Sequence, residues 1–235
     1  MISVCLATYN GEKYIVEQLQ SVLSQLGEHD EVIVSDDGST DATCEVVRNM
    51  ADSRIRLVKG PCLKSPTLNF EHAIALAQGE YIFLCDQDDV WMPNKVEVMM
   101  KALQDYACVV SDCEVTDSQL NTTAPSFRQQ IGAKNGRFYN LFVKNSYSGS
   151  CMAFRKKVAQ MAGPTPNGVF MHDIWLGNVA AFHFSLTFIE DKLIKFRRHT
   201  DSASTAAGKS NNPFFLRLYS RLKTAFCLLF LRLNK

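Results

Sequence analysis

No Gly-x-Gly-x-x-Gly follows the first apolar stretch of this chain and no Gly-x-x-x-x-Gly-Lys-Ser/Thr occurs in it, so dinucleotide-binding and P-loop folds lack their anion-cradling fingerprints. No uninterrupted apolar run reaches the ~18 residues that a bilayer-spanning helix requires. Met1-Ile2-Ser3-Val4-Cys5-Leu6 has no basic start and runs directly into Thr8-Tyr9-Asn10, which predicts a first strand and not a signal peptide. The eight cysteines include no Cys-x-x-Cys pair and several lie inside apolar runs, the pattern of core thiols in a reducing compartment and not of a zinc site. Internal repeats and low-complexity tracts are absent as well. These absences together predict a cytoplasmic, folded protein.

Acid is scarce at one end only. Residues 192–235 hold ten Lys/Arg and one acid, which leaves residues 1–191 with fifteen Lys/Arg against twenty-three acids. An acidic body argues against nucleic acid as a partner, whereas the basic tail suits an anionic membrane surface or a phosphate-bearing ligand.

At 235 residues, 46% hydrophobic and 21% charged, the chain can bury one sizeable core. Short apolar runs at 2–7, 31–35, 55–58, 81–85 and 107–111 alternate with helix-period segments, a βα rhythm that predicts an α/β fold with a mostly parallel central sheet flanked by helices. One helix carries Ile15, Leu19, Val22, Leu23 and Leu26 on a single stripe; a second, near 67–78, stops at Gly79; a third starts at Pro93. The rhythm breaks after 112 into a polar stretch reaching about 137, read as loop with short elements. A strand near 150–155, a helix near 171–182 and strands near 184–189 and 193–197 follow. Residues 200–213 read as a linker, and 214–235 as an amphipathic helix with Phe215, Leu218, Tyr219, Leu222, Phe226, Leu229 and Leu233 on one face and Arg217, Arg221, Thr224 and Lys235 opposite. Such a helix has two uses: it lies on a membrane, or it packs on the core or a partner.

Ligands of open α/β sheets bind beyond the carboxyl ends of the strands, and three such ends carry polar clusters here. Thr8-Tyr9-Asn10-Gly11 follows the first strand, Asp36-Asp37-Gly38-Ser39 the second, and Asp86-Gln87-Asp88-Asp89 the fourth. Five carboxylates on one edge repel one another unless a divalent cation or several donors sit among them. Hard carboxylate oxygens suit Mg²⁺ or Mn²⁺, with a pyrophosphate completing the coordination. Helix capping and ordinary turn chemistry also account for acids at such positions, most readily at Asp36-Asp37.

Those three clusters, together with Val90-Trp91, Pro93-Asn94-Lys95, His172-Asp173-x-Trp175 and Phe196-Arg197-Arg198-His199, resemble the inverting family-two glycosyltransferases of the GT-A fold over about residues 2–199. The Asp-Gln-Asp-Asp-Val-Trp form is similar to a branch containing rhamnosyltransferases of bacterial surface polysaccharides. The resemblance implies a sugar transferred from a nucleotide-diphosphate donor to a saccharide or lipid-linked acceptor, in capsule, O-antigen or related synthesis. It implies that Thr8, Tyr9, Asn10, Asp37 and Asp86 bind the nucleotide sugar, that Asp88 and His199 hold a Mn or Mg cation, and that Asp173 is the catalytic base. Residues 1–111 would form the donor half, 112–199 the acceptor half, and 200–235 the linker and terminal helix, placed at the inner face of the cell membrane if that helix binds lipid.

Such a base needs orientation, for which His172 or Trp175 are the nearby candidates. One rival is a haloacid-dehalogenase-type phosphoryl transfer with Asp86 as nucleophile, since Asp86-x-Asp88-x-Val90 fits that motif. The other is a nucleotide-sugar-binding protein without turnover.

Overall fold

A computed structural model of the chain describes residues 1–199 and 213–233. The first half runs β1 (Ile2–Thr8), α1 (Ile15–Leu23), β2 (Glu31–Asp36), α2 (Thr43–Asn49), β3 (Ile55–Lys59), α3 (Pro66–Leu76), β4 (Tyr81–Asp86), β5 (Val90–Trp91) and α4 (Lys95–Ala102). The second runs β6 (Cys108–Thr116), β7 (Thr122–Ala124), α5 (Phe127–Gln130), α6 (Arg137–Phe142), one 3-10 turn (Gly149–Cys151), β8 (Met152–Arg155), α7 (Lys156–Ala162), α8 (His172–His183), β9 (Leu186–Arg197) and α9 (Phe214–Leu233). All of the expected linker except Pro213 lies outside the described residues.

All the strands join one mixed sheet in the order β3-β2-β1-β4-β8-β6-β9-β5, with β7 attached to β6. The βα rhythm of the first half gives parallel pairing of β3, β2, β1 and β4. Its register sets Thr8 beside Asp36 and Ala7 beside Asp86, so the three polar clusters meet at one edge. All six residues of β2 are buried, which is why these strands read as continuous and not alternating runs.

Beyond β4 the sheet is less parallel than the rhythm predicts. β8 is antiparallel to both β4 and β6, while β6 and β9 run parallel. Segment 117–151 leaves β6 and returns to the same end of the sheet, and such a connection yields antiparallel neighbours. β6 also continues five residues past its expected end, because its buried Asp112 accepts hydrogen bonds from Ser126 Oγ and the Arg128 amide. The two strands expected at 184–189 and 193–197 are one, β9; the charged run Glu190-Asp191-Lys192 stays exposed where the register against β6 shifts.

Helix ends differ in detail. Ser65 caps α3 by accepting from the Leu68 amide with Pro66 in the first turn, but α3 stops at Leu76 and not Gly79. Gly79 serves a close approach instead: a Cβ there would stand 2.8 Å from the Met1 carbonyl and the Ser3 amide. α4 begins at Lys95, two residues after Pro93. The stripe of α1 is as expected, with Ile15, Leu19, Val22 and Leu23 buried against the sheet, each contributing roughly 1.5–3 kcal/mol.

α9 docks on α6 and α8, and it does so with the face that sequence marks as polar. Ser220 and Thr224 are buried with Leu228, whereas Phe215, Leu218, Tyr219, Leu222, Phe226 and Leu229 are exposed. No described helix is long and apolar enough to cross a membrane.

Candidate active site

The loops after β1, β2 and β4 are laced together by side chains. Gln87 accepts from Thr8 Oγ1 at 2.5 Å and from the Tyr9 amide at 2.9 Å, and its Nε2 donates to the Tyr9 carbonyl at 3.1 Å. A Cβ on Gly11 would lie 2.4 Å from Gln87 Oε1, so only glycine lets this clamp close. Asn10, in the left-handed region at φ 49, accepts from the Thr40 amide while its own amide donates to Ser39 Oγ. Tyr9 presents a half-buried ring with the Lys64 ammonium 5.3 Å from its centroid.

The acids divide into those that support the loops and those that crowd against one another. Asp36 Oδ2 accepts from the Gly38 and Ser39 amides. Asp37 is buried, and its two oxygens accept from the Leu63 and Ser65 amides, which fixes the loop before α3 and leaves further lone pairs for a ligand. Asp86, at the end of β4, has its carboxyl pushed up to about 7 by burial first and then by the charges of Asp88 and Asp173. Burial likewise lifts Asp89, whose Oδ1 accepts from the Arg197 amide and whose buried Oδ2 has no protein partner among the described residues.

β5 pairs with β9, and this brings the segment after β9 onto the Asp88 loop. Arg197 donates to the Asp88 and Ser118 carbonyls and to Glu17, lying 4.5 Å from the Tyr14 ring centroid. His199 follows, with Nε2 2.8 Å from Asp88 Oδ2 and its ring against Tyr14. Among the described residues no group of three or more His, Cys, Asp or Glu is arranged to hold a metal ion. The donor set still fits one: a carboxylate and an imidazole converge beside Asp86, the charge of Asp88 bears on Asp86, and Mg²⁺-type ions take one or two carboxylates plus phosphate oxygens.

Asp173 lies in the first turn of α8. Its Oδ1 accepts from the Ile174 amide and its Oδ2 from the Gly149 amide at 3.2 Å. Neither expected neighbour orients it: Trp175 Nε1 donates to the Ala162 carbonyl, and the buried His172 stacks on Phe70 at 4.2 Å, held neutral by burial, which pulls it down to about 3. Asp173 is instead held by the 3-10 turn, which the fully buried Lys95 fixes by donating to the Ser150 carbonyl at 2.6 Å while its ammonium lies 4.2 Å from the Trp91 ring centroid. Burial pushes the Asp173 carboxyl up to about 6.

The structure thus gathers Thr8, Tyr9, Asn10, Asp37, Asp86 and Asp88 at the carboxyl ends of β1, β2 and β4, sets His199 on Asp88, and holds Asp173 on a turn that packs against β4. Gln87, Lys95 and Arg197 were not singled out from sequence, though each lies inside a motif that was. A carboxamide between two alternate carboxylates, and a lysine two residues after a proline, were the available signals.

Residues 3–161 match glycosyl transferase family 2. The chain belongs to this family. UDP-Glc:alpha-D-GlcNAc-diphosphoundecaprenol beta-1,3-glucosyltransferase WfaP of Escherichia coli is 34% identical over 96 residues, 41% of this chain and 38% of that protein. Glycosyltransferase GlyG of Streptococcus pneumoniae is 34% identical over 111 residues, 45% of this chain and 36% of that protein. The matched stretch therefore spans 38% and 36% of these relatives' lengths. Among solved structures, S. aureus TarS 1-349 in complex with UDP-GlcNAc superposes with a TM-score of 0.66 at 17% identity, covering 87% of this chain and 61% of that one. Mannosyltransferase PcManGT from Pyrobaculum calidifontis, in complex with GDP-Man and Mn2+, gives a TM-score of 0.59 at 24% identity, covering 81% and 54%. At such identities the likeness is one of fold, and it is the GT-A fold of family-two enzymes. The dehalogenase reading loses its support, because Asp86 ends the fourth strand of a family-two sheet.

Proposed function

We propose that this family-two chain transfers a sugar from a nucleotide-diphosphate donor to an acceptor hydroxyl with inversion, in the synthesis of a bacterial surface polysaccharide. The observation that carries this reading is the convergence of two sets of carboxylates: the Gly149–Cys151 turn, whose first amide donates to Asp173 of α8, packs against β4, which ends in Asp86. This supports a diphosphate-and-metal edge at Asp86 and Asp88 with a separate proton acceptor at Asp173. Residues 1–111 form the donor half, with Thr8, Tyr9, Asn10, Asp37 and Asp86 toward the nucleotide sugar. Residues 112–199 form the acceptor half.

Asp173 takes the proton of the acceptor hydroxyl as that oxygen attacks the anomeric carbon, and the two amides on its carboxylate hold it in place. The diphosphate leaves from the opposite face, which inverts the centre. Asp88 and His199 would hold a Mn or Mg cation, which when bound supplies Lewis-acid neutralisation of the diphosphate. A carboxyl near pH 6 is matched to work as a base close to neutrality.

The exposed apolar face of α9 and the basic tail support peripheral contact with the inner face of the cell membrane, where a lipid-linked acceptor is presented. Nucleotide release from a panel of UDP-, GDP- and dTDP-sugars, with Mn²⁺ or with EDTA and without acceptor, tests the central reading. Metal-dependent release from one donor is expected; no release from any of them, with folded protein, overturns it.

A further inference from the structure

A cavity of about 590 Å³ opens between α6, the start of α8 and α9, outside the donor cleft. Its cations are Lys144, Arg217 and Arg221, and no Asp or Glu lines it. The neighbourhood cannot supply one readily, for no acidic residue occurs between Asp117 and Asp173, and α9 has none. Arg221 is committed, donating to the Phe142 and Val143 carbonyls at the end of α6. Lys144 donates to the Ile131 carbonyl. Arg217 is different: its Nε is buried, and the guanidinium makes no hydrogen bond or ion pair with any described residue. The two guanidinium charges also work on each other, and burial together with Arg217 pulls Arg221 below its ordinary value. A guanidinium half out of water, beside a second one and with no carboxylate, is stabilised most by an anion that accepts several N–H donors at once.

Two further groups bear on the ligand. Tyr147 Oη and Asn178 Oδ1 are buried on the cavity wall without protein partners among the described residues; a hydroxyl that donates and a carbonyl that accepts are what a sugar bearing a phosphate would engage. The cavity is also next to the proposed base, since Met171 and Ile174, on either side of Asp173, line it.

We infer that this cavity binds the phosphate group of the acceptor, a glycosyl phosphate or diphosphate whose sugar hydroxyl reaches Asp173. The inference rests on the glycosyltransferase reading and adds to it the acceptor's chemical class and where its charge sits.

The test is calorimetric titration of the whole chain, in EDTA to silence metal-dependent donor binding, with three probes: inorganic pyrophosphate, N-acetylglucosamine 1-phosphate and farnesyl diphosphate. At least one is expected to bind, and Arg217→Gln to weaken it tenfold or more, with Arg217→Lys intermediate and Lys101→Gln, on the distant α4, without effect. Preference for the sugar phosphate marks a soluble acceptor and preference for the farnesyl compound a lipid-linked one; either supports the shared phosphate site. Thermal unfolding of each variant separates lost binding from lost fold. Absence of binding by all three probes, or binding indifferent to both Arg217 variants, overturns the inference. Metal-dependent nucleotide release by the unaltered protein in that same event leaves the glycosyltransferase reading standing, so the two failures are distinguishable.

Discussion

Asp173 carries consequences for both rate and stability. Asn at this position keeps the shape and one hydrogen-bond acceptor but takes no proton, so Asp173→Asn should lose about 10²–10⁴-fold in transfer rate with donor affinity retained. Initial rates beside nucleotide titration check this, and near-normal turnover would remove Asp173 from the chemistry. The unaltered enzyme's rate should rise with pH through about 6 and level off above it, since the base must be ionised. The linkage has the matching sign. Burial raises the carboxyl from 3.8 to about 6, so the stability tied to its protonated form is full below pH 3.8 and is lost as pH rises through 6. Asp173→Asn escapes that loss, about 3 kcal/mol at pH 8 for a rise from 3.8 to about 6, so its stability relative to the unaltered protein should fall as pH drops from 8 to 4. Urea unfolding at the two values measures it. At Asp88, alanine should abolish the metal-dependent part of nucleotide-diphosphate affinity and leave the unfolding transition unchanged; equal calorimetric titrations with and without Mn²⁺ in both proteins would clear Asp88 of that role. The acids were legible because strand ends followed by Asp clusters point to one edge. Gln87 was not, since its clamp depends on how close the loops of β1 and β4 come, a distance set by the sheet register and by Gly11.

At the scale of elements, the first half of the sheet followed from sequence because β1, β2 and β4 are covered on both faces and carry unbroken apolar runs. β6 and β9 were harder to read. Buried Asp112 is paid for by Ser126 and the Arg128 amide, partners that only the fold brings near, and a bulge hides the continuity of β9. α9 shows the limit of a periodic pattern most clearly. Its amphipathic stripe was plain, but a stripe does not state which face docks, and here Arg221 reaching the end of α6 turns the polar side inward. Leu222→Glu and Leu229→Glu therefore fall on the outer face. Together they should release the protein from phosphatidylglycerol vesicles while changing unfolding by no more than about 0.5 kcal/mol. Leu228→Asp, on the inner face, should cost several times that, because it buries an unpaired charge. Vesicle pelleting unchanged by the first pair would exclude lipid as what covers this face.

Over the whole molecule, charge and topology are both lopsided. Fifteen Lys/Arg face twenty-three acids up to residue 191, and ten Lys/Arg meet one acid beyond it. Attraction of the basic end to an anionic bilayer should fade as salt rises from 0.05 to 0.5 M, since screening lengths shrink to a few ångströms, and any binding that survives at high salt measures the apolar share. The topology has a consequence of another kind. Between Thr116 and Gly149 the chain leaves the sheet, adds only β7 at the side of the main strand order, and comes back to the turn that holds Asp173. The parallel pairing of β3, β2, β1 and β4 does not pass through that excursion, whereas β6 leans on it through Ser126 and Arg128. On the proposed function, insertions in that excursion away from Ser126 and Arg128 would be a route to new acceptor preferences that leaves the strands bearing Thr8, Asp37 and Asp86 in register.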